Sequence, residues 1–374
     1  MKQLWNVFRK FYLFLPLLLL MGTIYIPFVS NLFFSNTEML DNRALKTRPV
    51  KLTPQFTQQF TDYYNDTFAG RKKLIVSYVK LKQKLKIDTG QYFYGKEDWM
   101  FYDAAKINNG NSLVGYYGEA RLNEGELKQL EQSLQKEKSF FEQFGAKYLL
   151  LVVPDKENIY SELMPDNMQR ARVSDMALSD VAIHYLAQNT DIDVLTLKAD
   201  LLSAKEKSPY PLYYPKDTHW NGIGAYIGFE ALVKNLHQKI DIPELSADII
   251  HQTGLVGQDM HPIDTSMSYT VSFLDDVSFK KTEIPEVQVV VYDNHQAFLP
   301  YTLMVAGDSF AVALVPYLAK AYKRVVTVPG GSKDKNFYLQ LLQKYQPDYV
   351  VHELVERYFQ GLLNRGKVFA EGVE

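Results

Sequence analysis

Apolar strand-like runs that alternate with helical patterns constrain the fold of this chain most strongly. The run at 147–153, KYLLLVV, is continuously apolar, which is typical of a strand covered on both faces of a parallel sheet. Four further strand-like segments follow it, at 193–197, 302–306, 324–328 and 348–352. Helical spacing of apolar residues lies between and around them, at 122–144, 174–188, 220–240, 310–322 and 336–345. This alternation predicts an α/β fold, a doubly wound sandwich with about five parallel strands.

The region before residue 121 has a different character. Aromatic and aliphatic residues recur at three- and four-residue steps over 56–86, which predicts an amphipathic helix broken near Gly70. Two aromatic runs flank a Gly-Lys-Glu-Asp turn over 91–102 and predict a β-hairpin. We therefore divide the chain into an N-terminal segment (1–36), a linker, helix and hairpin region (37–120) and a catalytic domain (121–374).

The N-terminal segment contains a long uncharged stretch. Positions 11–37 carry no charged residue, and roughly 20 apolar residues suffice to cross a bilayer. Lys2, Arg9 and Lys10 precede the stretch, so the positive-inside rule places the N-terminus in the cytoplasm and the rest outside the cell. A cleaved signal peptide is the alternative, but the exit sequence FVSNLFFSN lacks well-spaced small residues for cleavage. The prediction is a single-pass protein of the cell membrane with an extracellular catalytic domain.

Composition excludes several classes of function. The chain of 374 residues has no cysteine, which removes disulfide scaffolds, thiol nucleophiles and iron–sulfur sites. Its formal net charge of −2 gives no electrostatic reason to expect nucleic acid as a partner. No His-Glu-x-x-His motif or ligand-spaced cluster is present, so we predict no metal and no cofactor.

One tripeptide lies where α/β sheets bind ligands, just beyond the carboxyl end of a strand. Gly307-Asp308-Ser309 follows the strand-like run TLMVA and precedes an apolar helix. Backbone N–H groups at a helix N-terminus favour negative charge and suit a tetrahedral oxyanion beside a serine nucleophile. An ordinary helix N-cap explains the same residues, since Asp and Ser are preferred there.

A serine nucleophile needs a base, and the base needs an acceptor that orients it. Two histidines follow an aspartate by two residues, in Asp217-Thr218-His219 and Asp259-Met260-His261. His219 is the better candidate because its loop is stiffened by proline and leads directly into a helix. A structural histidine packed under Trp220 is the alternative, while the segment around His261 has the character of an irregular surface loop.

Together these two motifs resemble a known family. The chain is similar to the SGNH-like O-acetyltransferases of the alginate acetylation AlgX/AlgJ group and to the related DHHW proteins of Gram-positive bacteria. The matching stretches are DNRALKTRP (41–49), DYYNDTFAGRKKLI (62–75), GKEDWMFY (95–102), VPDKENIYSELMPD (153–166), DTHWNGIGAY (217–226), GDSF (307–310) and HELVERY (352–358). The order of the motifs, DTH before GDS, matches the circularly permuted arrangement of this group.

The resemblance implies a catalytic triad and an acyl-enzyme. Ser309 would be the nucleophile, His219 its base and Asp217 the residue that orients the base. Ser309 would take an acetyl group from a donor, and a polysaccharide hydroxyl would then attack the acetyl-serine. In such systems a membrane-bound O-acyltransferase usually supplies the acetyl group, and a membrane anchor would hold the enzyme beside it.

Residues near the two motifs are candidates for the oxyanion hole and for substrate binding. Gly330 follows the strand-like run RVVTV and is either an oxyanion donor or a plain turn. Tyr213, Tyr214 and Trp220 either stack on sugars or belong to the core. Lys156 contacts an anionic substrate or is a solvated loop lysine. The candidate set is completed by Asp308, Asn221 and Arg357, the last in a segment that replaces the usual asparagine block with Glu353, Glu356 and Arg357.

Two rival functions stay open at this point. An esterase could use the same triad to remove acetyl groups from a glycan, because transfer or hydrolysis depends on whether water is excluded from the acyl-enzyme. A non-catalytic scaffold could instead bind glycan or the acyltransferase through a degenerate site. Replacement of Ser309 separates the scaffold from the two enzymes.

Overall fold

The computed structural model describes residues 14–22, 25, 29, 45–85, 91–103, 112–238, 240–258, 265–330 and 333–370. The chain divides into two compact units, Met1–Ile87 and Asp88–Glu374. Most of the predicted membrane segment 11–37 lies outside the described residues. In the described part of the chain, no helix combines the length and the apolar character needed to cross a membrane.

In the described part of the first unit, residues 14–22 are helical, and they are followed by helices α1 Phe56–Thr67 and α2 Arg71–Lys84. The predicted break near Gly70 is confirmed, because helix α1 ends before it and Gly70 itself has a φ of +81°. That left-handed conformation is accessible to glycine without a steric penalty and changes the direction of the chain between the helices.

The second unit is organised around a seven-stranded sheet. Its strands, in spatial order, are β4 Val194–Thr196, β3 Lys147–Val153, β11 Tyr349–Val355, β9 Leu299–Gly307, β10 Tyr322–Pro329, β8 Val289–Asp293 and β7 Lys280–Ile284. The first five pair in parallel, as predicted. Strands β8 and β7 add to the edge in antiparallel pairing, so the sheet is mixed.

Helices cover both faces of the sheet, as in a doubly wound fold. One face packs against α8 Lys198–Lys207, α9 Gly222–His237 and α10 Ala311–Ala321. The other packs against α4 Glu124–Glu142, α7 Leu178–Asn189, α11 Lys335–Tyr345 and the 3₁₀ segment Glu356–Lys367. Side chains of strand β11 alternate between the two cores, with Val351 in one and Val350 in the other.

Shorter elements complete the unit. The predicted hairpin is present as β1 Tyr92–Tyr94 and β2 Met100–Tyr102, which pair antiparallel. A second hairpin, β5 Ile250–Gly257 with β6 Thr265–Val271, was not predicted. The short helices are α3 Ser112–Tyr117, α5 Lys156–Ile159 and α6 Asp166–Ala171, and two 3₁₀ turns lie at Ser161–Leu163 and Ala247–Ile249.

Candidate functional site

The candidate site lies at the carboxyl edge of the parallel strands. Strand β9 ends at Gly307, and Asp308 and Ser309 form the turn into helix α10. The loop that carries Asp217 and His219 runs into helix α9 on the same face of the sheet. This loop follows helix α8 and not a strand, and its contact with the turn after strand β9 brings together groups 90 residues apart in sequence.

Ser309, His219 and Asp217 form a continuous hydrogen-bonded chain. His219 Nε2 lies 2.7 Å from Ser309 Oγ, and His219 Nδ1 lies 2.7 Å from Asp217 Oδ1. The same Asp217 oxygen accepts a hydrogen bond of 2.9 Å from the backbone N–H of His219. Because an ionised carboxylate is only an acceptor, Nδ1 carries the ring proton, and the lone pair of Nε2 faces the Ser309 hydroxyl.

Solvent exposure decreases along this chain of groups. Ser309 is exposed, the His219 side chain is 29% exposed and the Asp217 side chain is 12% exposed. A substrate can therefore approach the hydroxyl, while protein shields the carboxylate. This arrangement allows proton transfer from the hydroxyl to an imidazole whose orientation is fixed.

One backbone amide is suitably placed to stabilise an oxyanion. Ser309 immediately precedes Phe310, the N-cap of helix α10, and no described residue accepts a hydrogen bond from its amide. The amide of Gly330 is not available, because it donates a hydrogen bond of 2.7 Å to the carbonyl oxygen of Gly307. Of the two interpretations left open for Gly330, the oxyanion donor is wrong and the turn holds. Because Gly330 has no side chain, its backbone can lie close to that of Gly307. A Cβ at position 330 would lie only 3.0 Å from the Gly307 carbonyl carbon.

Asp308 shapes the nucleophile turn. One carboxylate oxygen accepts from the Phe310 amide at 2.8 Å, and the other accepts from the Val355 amide at 2.8 Å. The Asp308 amide in turn donates to the carboxyl group of Glu353 at 3.0 Å. Asp308 therefore joins the end of strand β9 to the end of strand β11, and its amide and both carboxylate oxygens are engaged within the protein instead of binding the oxyanion or substrate.

The aromatic and amide candidates next to His219 are mostly buried. Trp220 and Tyr213 are 1% and 0% exposed, and the Trp220 indole donates to the Phe310 carbonyl at 3.0 Å. Asn221 caps helix α9, accepting from the Ile223 amide at 2.9 Å. Tyr213 and Trp220 thus belong to the core, which is the alternative that the sequence left open beside sugar stacking, and Asn221, a candidate for oxyanion or substrate binding, forms the helix cap.

Tyr214 is half-buried and lies beside the second hairpin. Its hydroxyl is 3.0 Å from Ser268 Oγ, and its amide donates to the His219 carbonyl at 3.2 Å. It is the aromatic residue of the predicted set that keeps partial contact with solvent. A role in sugar binding stays a prediction for Tyr214.

Lys156 and Arg357 are buried cations. Lys156 is 2% exposed and donates to carbonyl oxygens of the loop that carries Asp217. Arg357 forms an ion pair with Asp155, and its guanidinium lies 5.4 Å from the centre of the Phe310 ring. Neither the anionic-substrate nor the solvated interpretation of Lys156 holds, and the predicted substrate contact of Arg357 is likewise wrong, because both charges are enclosed by protein.

The family of the chain follows from a match over most of its sequence. A family model described as the SGNH hydrolase-like domain of acetyltransferase AlgX matches residues 93–355. The chain belongs to the AlgX family. The resemblance drawn from the motifs is thus confirmed, and the matched range extends from hairpin β1–β2 to the end of strand β11.

Several solved structures are similar to this AlgX-family chain. PatB1 of Bacillus cereus with a sulfonyl adduct is 15% identical, over 74% of this chain and 99% of that chain, with a TM-score of 0.52. A DHHW family protein from Eubacterium siraeum is 12% identical, over 75% and 96%, with a TM-score of 0.50. The O-acetyltransferase domain of Pseudomonas putida AlgJ is 17% identical, over 72% and 92%, with a TM-score of 0.44. At this level of identity, the first two show a shared fold. No curated protein gives a significant match.

Two residues of this AlgX-family site were not singled out from the sequence as positioning groups. Gln258 is buried at the end of strand β5 and accepts from the Lys216 amide at 3.2 Å. Glu356 accepts from the Asp155 amide at 3.1 Å and from the Asn158 side chain at 2.8 Å. No local pattern distinguishes either residue from a surface polar side chain. His261, the less favoured histidine, lies outside the described residues.

We expect Glu353 to make stability fall as pH rises. Burial raises the pKa of Glu353 well above its ordinary value, Asp308 raises it further, and hydrogen bonds from the Asp308 and Ala311 amides oppose the rise. Above the ordinary pKa, the unfolded carboxyl ionises while the folded one keeps its proton, so the folded state loses relative stability as pH increases. Glu353→Gln should therefore gain stability relative to wild type as the pH rises from about 5 to about 8, a range above the ordinary pKa of 4.5. Urea unfolding at each pH measures the difference. A difference that is constant with pH would contradict this assignment.

Proposed function

We propose that this AlgX-family chain is a membrane-anchored, extracytoplasmic O-acetyltransferase. It transfers acetyl groups to hydroxyls of a cell-surface or secreted polysaccharide through an acetyl-serine intermediate. The observation that carries the proposal is the hydrogen-bonded Asp217–His219–Ser309 chain, with its exposed hydroxyl, at the carboxyl edge of the sheet. The acetyltransferase description of the matching family model supports the same chemistry.

In the first step, Ser309 Oγ attacks the carbonyl carbon of an acetyl donor. The hydroxyl proton passes to His219 Nε2, and the charge of Asp217 stabilises the imidazolium that forms. The Ser309 amide donates to the oxyanion of the tetrahedral intermediate. As the intermediate collapses, the imidazolium returns its proton to the leaving group, which departs and leaves acetyl-Ser309.

In the second step, the same imidazole takes the proton of a sugar hydroxyl. The sugar oxygen attacks the acetyl carbonyl, and the second tetrahedral intermediate expels Ser309 Oγ. The proton on His219 returns to Ser309, so the enzyme is restored and the acetyl ester lies on the glycan. Water in place of the sugar gives hydrolysis by the same route.

A solved structure that shares the fold suggests how the proposed nucleophile can be identified. PatB1 of Bacillus cereus, which shares the fold, has been solved with a sulfonyl adduct. Sulfonyl reagents modify nucleophiles that an adjacent base has activated. By analogy we propose that Ser309 is the group of this chain that such a reagent modifies.

The proposed enzyme is anchored in the membrane and receives its acetyl groups from a partner protein in the same membrane. The uncharged stretch 11–37, preceded by Lys2, Arg9 and Lys10, supports a single anchor with the catalytic domain outside. A membrane-bound O-acyltransferase would supply the acetyl group at the outer surface. Confinement to the same membrane raises the effective concentration of donor at Ser309.

Intact mass spectrometry tests the proposal. The full chain in detergent is exposed to p-nitrophenyl acetate, and the modified peptide is identified by digestion, with Ser309→Ala and the exposed helix residue variant Ser203→Ala as controls. We expect one acetyl group on Ser309 in wild type and in Ser203→Ala, and none in Ser309→Ala. Addition of acetyl-free polysaccharides should then move the acetyl group from the enzyme to the glycan.

The alternatives give different results in this experiment. An esterase would form the adduct but lose it to water at the same rate with and without glycan. A scaffold would form no adduct and would show no ester turnover above that of Ser309→Ala. Either result in a folded sample contradicts the proposed transferase.

A further inference from the structure

Lys156 is a buried cation that contacts the loop carrying the candidate base. It follows strand β3 at the start of helix α5 and is only 2% exposed. Taking an ammonium group out of water is costly unless its donors are satisfied. Here the carbonyl oxygens of Tyr214, Pro215 and Asp217 lie 3.1, 3.2 and 2.8 Å from Nζ. These three acceptors offset part of the cost of removing the ammonium group from water.

The hairpin β1–β2 encloses this cation from the other side. Lys156 Nζ lies 5.4 Å from the centre of the Trp99 ring and 5.2 Å from that of Phe101, within the range of cation–π contacts. The amide of Met100 donates to the Pro215 carbonyl at 2.9 Å. The aromatic hairpin is therefore joined to the loop both through Lys156 and directly through its backbone.

Three contacts of Lys156 lie on the backbone that leads to and includes Asp217. Three carbonyls within four residues point toward one cation, so the segment from Tyr214 to Asp217 curves around Nζ. The side chain of the last of these residues then accepts both the amide and the ring N–H of His219. A change in the backbone at Asp217 would shift this acceptor and with it the imidazole facing Ser309.

We infer that Lys156 is a positioning residue of the acyl-transfer site, which holds the loop so that Asp217 and His219 are aligned with Ser309. This inference rests on the proposed function. Lys156 does not touch the reacting atoms; it acts through the loop backbone. A displacement of about 1 Å in a catalytic group can cost 10²-fold in rate. The rate of Ser309 acetylation should therefore depend on Lys156 much more than the affinity for the ester does.

The test compares four variants in the full chain. Lys156→Met keeps the length of the side chain but removes its charge and its hydrogen-bond donors. Lys156→Gln keeps two N–H donors but removes the charge. Lys156→Arg keeps both the charge and the donors. Lys138→Met is the matched control, because Lys138 is also a buried lysine, 8% exposed, but pairs with Asp191 away from the site. Acetylation of Ser309 by p-nitrophenyl acetate is followed by stopped-flow absorbance over a range of ester concentrations.

We expect the limiting acetylation rate to fall about 10²-fold in Lys156→Met, with the half-saturating ester concentration within about twofold of wild type. Lys156→Gln should be intermediate and Lys156→Arg closest to wild type, while Lys138→Met should keep the wild-type rate. If Lys156→Met does not fold, the acetylation rates of Lys156→Gln and Lys156→Arg test the positioning role in its place. A folded Lys156→Met or Lys156→Gln with a wild-type rate would overturn the inference.

A spectroscopic measurement separates this inference from the proposed function. The His219 Nδ1 proton, hydrogen-bonded to Asp217, should give a downfield ¹H NMR signal that is absent in His219→Gln. We expect this signal to be retained in Lys156→Arg and lost or broadened in Lys156→Gln. If wild type takes up no acetyl group, the proposed function fails, but the signal still reports whether Lys156 holds the loop. An unchanged signal in Lys156→Gln would contradict the positioning role.

Discussion

Asp217→Asn will lower the rate of Ser309 acetylation by about 10³–10⁴-fold while leaving the protein folded. The negative charge that stabilises the imidazolium is lost, although the side chain keeps its size. The amide can also present an N–H to His219 Nδ1, which moves the ring proton to Nε2. That nitrogen then faces Ser309 as a donor and cannot accept the hydroxyl proton. The measurement is the stopped-flow release of p-nitrophenol from p-nitrophenyl acetate.

A second aspartate provides the control for this experiment. Asp180 is similarly shielded, with a side chain 16% exposed, and it pairs with Lys198 away from the candidate site. Asp180→Asn should keep the wild-type acetylation rate even if it lowers the melting temperature. If Asp217→Asn retained more than a tenth of the wild-type rate, Asp217 would not be the group that orients the base.

The parallel part of the sheet was predictable because its strands are buried on both faces. Strand β3 has the predicted bounds, Lys147–Val153, and the predicted cores of strands β9, β10 and β11 lie within or overlap the observed ones. A continuous apolar run is enough to identify such strands. Strand β7 at the sheet edge, KKTEI, is mostly exposed and carries charge, so no apolar pattern marks it. Hairpin β5–β6 was missed for the same reason, since seven of the eight residues of β5 are exposed.

The candidate site was predictable where chemistry and sequence spacing coincide. The Asp-x-His and Gly-Asp-Ser motifs contain the residue types that a catalytic triad needs. They also lie at positions that the fold brings into contact. For the remaining candidate residues, burial determines whether the side chain can reach a substrate. Burial depends on tertiary contacts, which the local sequence does not reveal. Trp220 and Lys156 have the residue types of a sugar platform and a substrate cation, yet both are enclosed by elements distant in sequence.

Glu137→Gln will lower the free energy of unfolding by about 3–5 kcal/mol, because it removes the negative charge from a buried ion pair. Glu137 is fully buried on helix α4, and its two oxygens contact Arg365 Nε at 3.0 Å and His352 Nδ1 at 3.1 Å. These contacts join helix α4, strand β11 and the 3₁₀ segment that follows that strand. Urea unfolding monitored by circular dichroism measures the loss.

The pH dependence identifies the charge as the cause of this loss. Burial alone would raise the pKa of Glu137, but the charges and hydrogen bonds of His352 and Arg365 outweigh it and lower the pKa to about 2. Because the folded pKa is depressed, the stability from this carboxylate is present above its ordinary pKa and is lost as pH falls toward 2. The difference between wild type and Glu137→Gln should therefore be greatest near neutral pH and shrink in acid. Glu142→Gln, an exposed change on the same helix, should cost little at any pH. A Glu137→Gln penalty that persists undiminished in acid would mean that packing, and not the ion pair, accounts for it.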